Sequence, residues 1–458
     1  MYGAFFIARF KEKSYNLIRS SYPIFKEYNR LKMTEVVSLR AKALYKNKNY
    51  KEIINIYQSV EESNFSQWDY YYYAVAFWKL GNYQEGRRLS RNGLLKFHDF
   101  MALRSPYCWC LYYLYVRDFP NNHINENDFT RAVDSIIRYS EQRPFTPYEI
   151  SLWKAISYYK SKPGSYTEQI DEYLSLLNPY DLSSLPKQVN VQGKDREIES
   201  DREKWYSLKS STLIQKKDYK SCISICNEAL NSIVKLHHDN DVWFRYRIAT
   251  SEFKLGNDER AAEQFNRILT TKEHWIIYSG LFDIYRKQGK SESALKMACK
   301  AMLAPGEYKS KVNLLENISE FLLQVSGMNE VAYWHILLAK SLRVENNWKV
   351  TPELNKKVAS FQFKTIDTRK MIDNLLIFWK KNRNKGEILY EGSIENLLPN
   401  KKDGFIKCSD GNSYYFRGNT VNYKNYVCGQ RVTFYLKDGF DKKKQRPTKQ
   451  AYDISLKE

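Results

Sequence analysis

Histidine is scarce in this chain, with six in 458 residues. That leaves little for general-base work near neutral pH. The chain has no glycine-rich phosphate loop followed by lysine, no His-Glu-x-x-His and no Gly-x-Ser-x-Gly, so the common nucleotide-binding, metalloprotease and esterase signatures are missing. Carboxylate chemistry stays formally open, but no spacing singles out a pair. The reading is therefore of a non-catalytic protein with no cofactor and no catalytic or metal site. Seven cysteines are an odd number with no disulfide framework, which points to a reducing cytoplasm. Cys222 and Cys226 lie four apart on one helix face and read as core residues, and Cys108-x-Cys110 has no partner pair. His237-His238-Asp239-x-Asp241 falls at a junction between helices and reads as a polar loop rather than a metal site. No stretch approaches the roughly 18 apolar residues of a membrane span. The apolar patch Ala4 to Ala8 lacks the basic region and cleavage pattern of a signal peptide. Residues 1–32 read either as a helical cap burying Phe5, Phe6, Ile7 and Phe10, or as an extension upstream of a start at Met33.

Acidic residues are also in short supply, 52 Asp+Glu against 73 Lys+Arg, for a net charge of +21. That excess favours an anionic partner, with nucleic acid the first candidate. Aromatics are plentiful, at 37 Tyr, 23 Phe and 10 Trp; most must pack, and a few are free to stack on bases.

Internal repetition organises most of the chain. Tyr70 to Leu95 reads YYYYAVAFWKLGNYQEGRRLSRNGLL, and Val242 to Ile268 reads VWFRYRIATSEFKLGNDERAAEQFNRI. Each is an apolar helix, then Lys-Leu-Gly-Asn, then a second helix with small residues inside. Two antiparallel helices approach closely only where side chains are small, which assigns Ala74 and Gly86, and Ala249 and Ala261, to the crossings. Gly81 and Gly256 close the first helices, where a left-handed residue is best tolerated. Aligning the turn finds weaker copies, with turn positions expected near residues 50, 83, 129, 166, 219, 258, 291 and 329. The polar insertion from Pro179 to Asp201 reads as a flexible loop or a break between sub-arrays.

These segments resemble the tetratricopeptide repeat. The resemblance implies a mainly α fold, a right-handed α-solenoid of helix pairs over 33–345, with a protein or peptide partner in its groove. Thr351-Pro352-Glu353 then starts a helix, and a second is expected over 366–383, with Ile366, Met371, Leu375, Ile377, Phe378 and Trp379 as its apolar content. Residues 346–385 are read as capping helices and a basic linker.

From 386 to 458 the pattern becomes that of a small β-barrel. Short runs at Ile388–Ile394, Gly404–Cys408, Ser413–Arg417, Arg431–Tyr435 and Gln450–Ile454 are separated by turn residues, with Asp410-Gly411 a hairpin signal. The order Gly392-Ser393-Ile394, Lys401-x2-Gly404-Phe405-Ile406, Asp410-Gly411-x3-Tyr415-Phe416 and Gly429-Gln430-x-Val432-x-Phe434 resembles a cold-shock domain. The resemblance implies a five-stranded OB-type barrel that binds single-stranded RNA or DNA by stacking bases on surface aromatics. Strand alternation puts Phe405 and Lys407 outward if Ile406 is inward, and Tyr415 and Arg417 outward if Phe416 is inward. Lys401 and Lys402 at the rim, Tyr423 in the loop before Gly429, and the run Lys442, Lys443, Lys444 and Arg446 before the last strand complete the candidate nucleic-acid-binding set. Three departures weaken the platform: Asp403 and Asn396 stand where the family has aromatics, Arg417 stands where its second motif ends in histidine, and Asp403 is expected to repel a nearby phosphate. Tyr426 is a candidate to compensate. From Lys356 to Glu458, 22 Lys+Arg face 11 Asp+Glu, a net of +11. The functional reading is an adaptor whose barrel binds single-stranded nucleic acid, RNA first, and whose repeats bind a protein. The alternative is a protein-interaction scaffold in a bacterial stress or defence assembly, with the barrel as a protein dock.

Overall fold

The computed structural model describes residues 35–121, 123–363, 367–400, 402–418, 426–441 and 446–457. The expectations for residues 1–32 and Met33, and for Ile366, fall outside them. The structure divides into two compact units. One runs up to Pro186 and takes in Ser200–Trp205, and the other comprises Lys187–Glu199 and everything from Tyr206 onward.

Eight helix pairs follow one another among the described residues. In order they are α1 (35–46) with α2 (Tyr50–Tyr57), α3 (Gln67–Lys79) with α4 (Tyr83–Lys96), and α5 (Arg104–Leu111) with α6 (Glu126–Tyr139). Then come α7 (Tyr148–Ser161) with α8 (Thr167–Ser175), α9 (Asp201–Gln215) with α10 (Tyr219–Ser232), and α11 (Asn240–Lys254) with α12 (Asp258–Leu269). The last are α13 (Trp275–Lys287) with α14 (Ser291–Leu303), and α15 (Val312–Leu322) with α16 (Asn329–Glu345). The expected turn positions match the starts of the second helices, with one correction. Phe129 lies inside α6 and is fully buried rather than at a turn, because that helix already starts at Glu126 on the Asn125 cap, whose side chain accepts from the Asp128 N–H at 2.8 Å.

Local chemistry explains the hairpins. Gly81 ends α3 with φ +85°, a conformation that costs glycine nothing. Asn82 then caps α4, its side chain accepting from the Glu85 N–H at 3.3 Å, and Asn49 and Asp218 cap α2 and α10 in the same way. Lys48 and Lys217 hold the left-handed position in those two turns without glycine's freedom. At the α3–α4 crossing, a Cβ on Gly86 would meet Cys110 Sγ at 2.8 Å and the Ala74 carbonyl at 3.3 Å. Glycine is what lets these helices touch.

The Pro179–Asp201 insertion contains a polar hairpin rather than only loop: β1 (Lys187–Val191) pairs antiparallel with β2 (Lys194–Ile198). His237, in the metal-like run, bonds through Nε2 to Glu197 of that hairpin at 2.9 Å. Among the described residues no group of His, Cys, Asp and Glu is placed to hold a metal ion, and no helix is long and apolar enough to cross a membrane. Cys222 and Cys226 are both buried.

After α16, α17 (Pro352–Ala359) starts on the Thr351 cap, whose side chain accepts from Leu354 N–H. α18 (Thr368–Asn382) packs against α14 and α16. Its buried residues include Met371, Leu375 and Trp379, whereas Ile377 is exposed. Trp379 Nε1 donates to His335 Nε2 at 2.9 Å, and His335 Nδ1 bonds the Val331 carbonyl at 2.7 Å. This fixes a neutral imidazole. Burial pulls its pKa down to about 4, against the raising effect of the Val331 bond.

The barrel comprises β3 (Tyr390–Leu397), β4 (Gly404–Cys408), β5 (Ser413–Phe416), β6 (Arg431–Asp441) and β7 (Arg446–Leu456), closed in the order β3-β4-β5-β7-β6. Only β5 and β7 pair in parallel. This is the Greek-key connectivity of an OB-type barrel. Ile394, Ile406, Cys408, Phe416, Val432, Phe434 and Ala451 fill the interior. β6 and β7 are longer than the sequence suggested, because their pairing runs out to Asp441–Arg446 as a two-stranded ribbon.

The residues between α18 and β3 do not form a free linker. Glu387 Oε1 meets Lys300 Nζ at 3.0 Å and Lys296 Nζ at 3.3 Å, both from α14. The Tyr452 hydroxyl on β7 accepts from Lys300 at 3.2 Å and donates to Glu387. Arg383 and Asn384 both bond Asp453. Burial, then the bond to Glu387, pushes the Tyr452 phenol far above its ordinary range. Burial disfavours ionised Glu387, but the Tyr452 hydroxyl and the two lysines outweigh it and hold the carboxyl low. One side of the barrel is thereby fastened to the helical array.

Candidate nucleic-acid interface

The outward row of the barrel follows from register. Ile406 and Phe416 are fully buried, so their neighbours face out. Phe405 pairs with Tyr415 across β4 and β5, their rings meeting edge to face at 5.7 Å between centroids. The same row continues to Asn396 on β3, to Gln450 on β7 and to Lys437 on β6. A second row holds Arg431, Ser393, Lys407 and Ser413. Lys407, Arg417 and Arg431 are exposed, and Phe405 and Tyr415 are partly buried. Among the described residues, neither Lys407 nor Arg417 makes an ion pair.

Asp403 changes its expected part. Its Oδ2 accepts from the Tyr415 hydroxyl at 3.1 Å and from Asn400 Nδ2 at 3.0 Å, while Oδ1 takes the Gly418 N–H at 2.9 Å. Burial alone would raise this carboxyl. The bonds from Asn400, Gly418 and Tyr415, with the nearby Arg417 charge, outweigh that and hold it below the usual range. Instead of standing free to repel phosphate, Asp403 is held by the Tyr415 hydroxyl, Asn400 and the Gly418 N–H, with the Arg417 charge nearby. Burial, together with Asp403, raises the Tyr415 phenol in turn, keeping it a neutral donor.

Of the other candidates, Lys402 is exposed at the rim, where Gly418 leaves no room for a Cβ: one would sit 2.3 Å from the Lys402 carbonyl. Arg446 is exposed at the ribbon end of β7, four residues or about 13 Å along the strand from Gln450, so it does not join the stacking row. Lys401, Tyr423, Lys442, Lys443 and Lys444 lie outside the described residues. Tyr426 does not compensate for the missing aromatics: its ring packs on the buried Phe416 at 5.6 Å and belongs to the core. Gln450, Lys437 and Arg431 are the members that sequence reasoning missed. Their only signal is the register between strands far apart in sequence.

A family model described as a domain of unknown function (DUF7017) matches residues 242–377, from α11 into α18 and short of the barrel. No curated protein matches the chain. Among solved structures it is similar to a chain in the crystal structure of the APC/C hetero-tetramer Cut9-Hcn1, at 12% identity over 76% of this chain and 86% of that one, with a TM-score of 0.21. At that score the likeness adds nothing to the fold described above.

Proposed function

We propose that the protein is a non-catalytic adaptor whose C-terminal barrel binds single-stranded nucleic acid, with RNA the first candidate, and whose helical array takes a protein partner. The observation that carries this reading is the cross-strand Phe405–Tyr415 pair, held by Asp403 and flanked by Lys402, Lys407 and Arg417 on an OB-type barrel. Each base stacked on such a ring is worth about 1–3 kcal/mol, whatever its identity, and the cations supply the phosphate contacts. The motif order that resembles a cold-shock domain supports the reading, as do the two aromatic rings on the outward row. With Asn396 and Asp403 in place of aromatics, the footprint is short and weakly selective. The tandem helix pairs support the protein-binding half of the reading, since stacked repeats present long continuous surfaces. Binding of labelled single-stranded RNA to the full chain, followed from low to high salt, tests the nucleic-acid half. Affinity should fall steeply with salt and exceed that for a duplex of the same sequence; no binding in low salt contradicts it.

A further inference from the structure

The outward row of the barrel does not end in solvent. Its last member, Lys437, meets Glu273 Oε1 at 3.1 Å, and Glu273 lies in the connection between α12 and α13. Lys437 Nζ also sits 5.6 Å from the centre of the Tyr452 ring. Tyr452 is two residues along β7 from Gln450, so the open row borders the fastened side directly. Lys272 and a cluster of partly buried rings flank Glu273. His274 lies 5.2 Å from Trp243 and 6.0 Å from Trp275, between centroids. Both carboxylate and ammonium are about half exposed, at 54% and 44% of their side chains, so a ligand reaches either.

Resting on the nucleic-acid reading above, we infer that a bound single strand crosses from Phe405 and Tyr415 over Lys437 and continues onto the helical array at residues 270–275. Lys437 hands the backbone across, and Glu273 is the counter-ion that the phosphate displaces. From Asn396 to Lys437 the row spans five strands, about 19 Å at normal strand spacing. A short oligomer is held within it, and a longer one must pass Glu273. On the far side stand Lys272, which is ion-paired with Asp239, and the rings of Trp243, His274 and Trp275, so a cation again lies beside aromatics.

The test breaks one ion pair in two ways. If Lys437–Glu273 only fastens the barrel, Lys437→Ala and Glu273→Gln have the same effect on binding. If it lies on the strand's path, the two diverge. With single-stranded RNA of about twelve nucleotides, the upper part of the range for such barrels, Lys437→Ala should weaken binding about 5-fold and reduce the salt slope by about 1. Glu273→Gln should tighten it by a factor of about 3 through loss of a competing charge. With about four nucleotides, Glu273→Gln should have no effect. Equal effects of both variants, or a Glu273→Gln effect that does not depend on length, overturn the inference while leaving the barrel reading intact. Wild-type protein that binds neither oligomer defeats the barrel reading and this inference together.

Discussion

The barrel has two outward sides built from the same residue types, and they differ in how those residues are partnered. Around Tyr452 the phenol, two lysines, an arginine and two carboxylates satisfy one another against α14 and α18. Around Tyr415 the phenol donates to Asp403, while Lys407 and Arg417 reach outward without an ion pair among the described residues. The contrast teaches that composition does not separate a fastening face from a binding face. Buried pairing does: Lys300 and Glu387 are 18% and 19% exposed, and a buried charge is tolerated only with its partner, whereas a surface cation that is unpaired or held by an exposed partner is available to a ligand.

The comparison can be broken or sharpened in several ways. The largest effect is expected beneath the fastened side. Trp379 is fully buried on α18, so Trp379→Ala should cost about 3–5 kcal/mol of stability, read as a lowered unfolding midpoint in denaturant. Next comes acid. His335 is neutral in the fold, with its pKa at about 4 instead of the ordinary 6.5. Between those values the unfolded chain binds the proton and the folded chain does not. Stability is therefore fully present above pH 6.5 and falls as pH drops toward 4, by up to about 3 kcal/mol; His335→Gln should flatten that part of the profile. Tyr452→Phe removes a hydroxyl shared by Lys300 and Glu387 and should cost about 1–3 kcal/mol, lowering the melting temperature without changing affinity for a short oligomer. The smallest effect is Lys449→Ala, which breaks a surface pair with Asp438 whose members are 56% and 81% exposed. Its stability change should stay within about 0.5 kcal/mol.

Much of this arrangement was legible in the sequence. The Lys-Leu-Gly-Asn turns located the helix pairs because a left-handed residue and an Asn or Asp cap leave local signals, as at Gly81-Asn82. Alternation around Ile406 and Phe416 placed Phe405 and Tyr415 on the outside. Features that depend on distant residues were hidden. Tyr452, Glu387 and Lys300 meet only through the fold, and nothing near any of them announces the others. The role of Asp403 needed the position of Tyr415, twelve residues away, across a hairpin. The ribbon extends β6 past Tyr435 through Lys437-Asp438-Gly439, which has no strand-like alternation; in the structure Gly439 leaves room for Gln450, whose Cδ a Cβ there would approach to 2.5 Å. The β1–β2 hairpin is short and mostly exposed, and the single alternation Val189-Asn190-Val191 is too brief to announce a strand.

The central claim is that the Phe405–Tyr415 pair binds single strands and the Tyr452–Glu387–Lys300 cluster only fastens the barrel. It is tested most directly by measuring, on the full chain, both melting temperature and affinity for single-stranded RNA in the double variant Phe405→Ala/Tyr415→Ala and in Tyr452→Phe. The double variant should melt close to wild type and lose binding by a factor of at least about 30, as two stacking contacts imply. Tyr452→Phe should melt earlier and bind a short oligomer unchanged. A double variant that still binds as wild type does, or loss of binding only with Tyr452→Phe, would contradict the account.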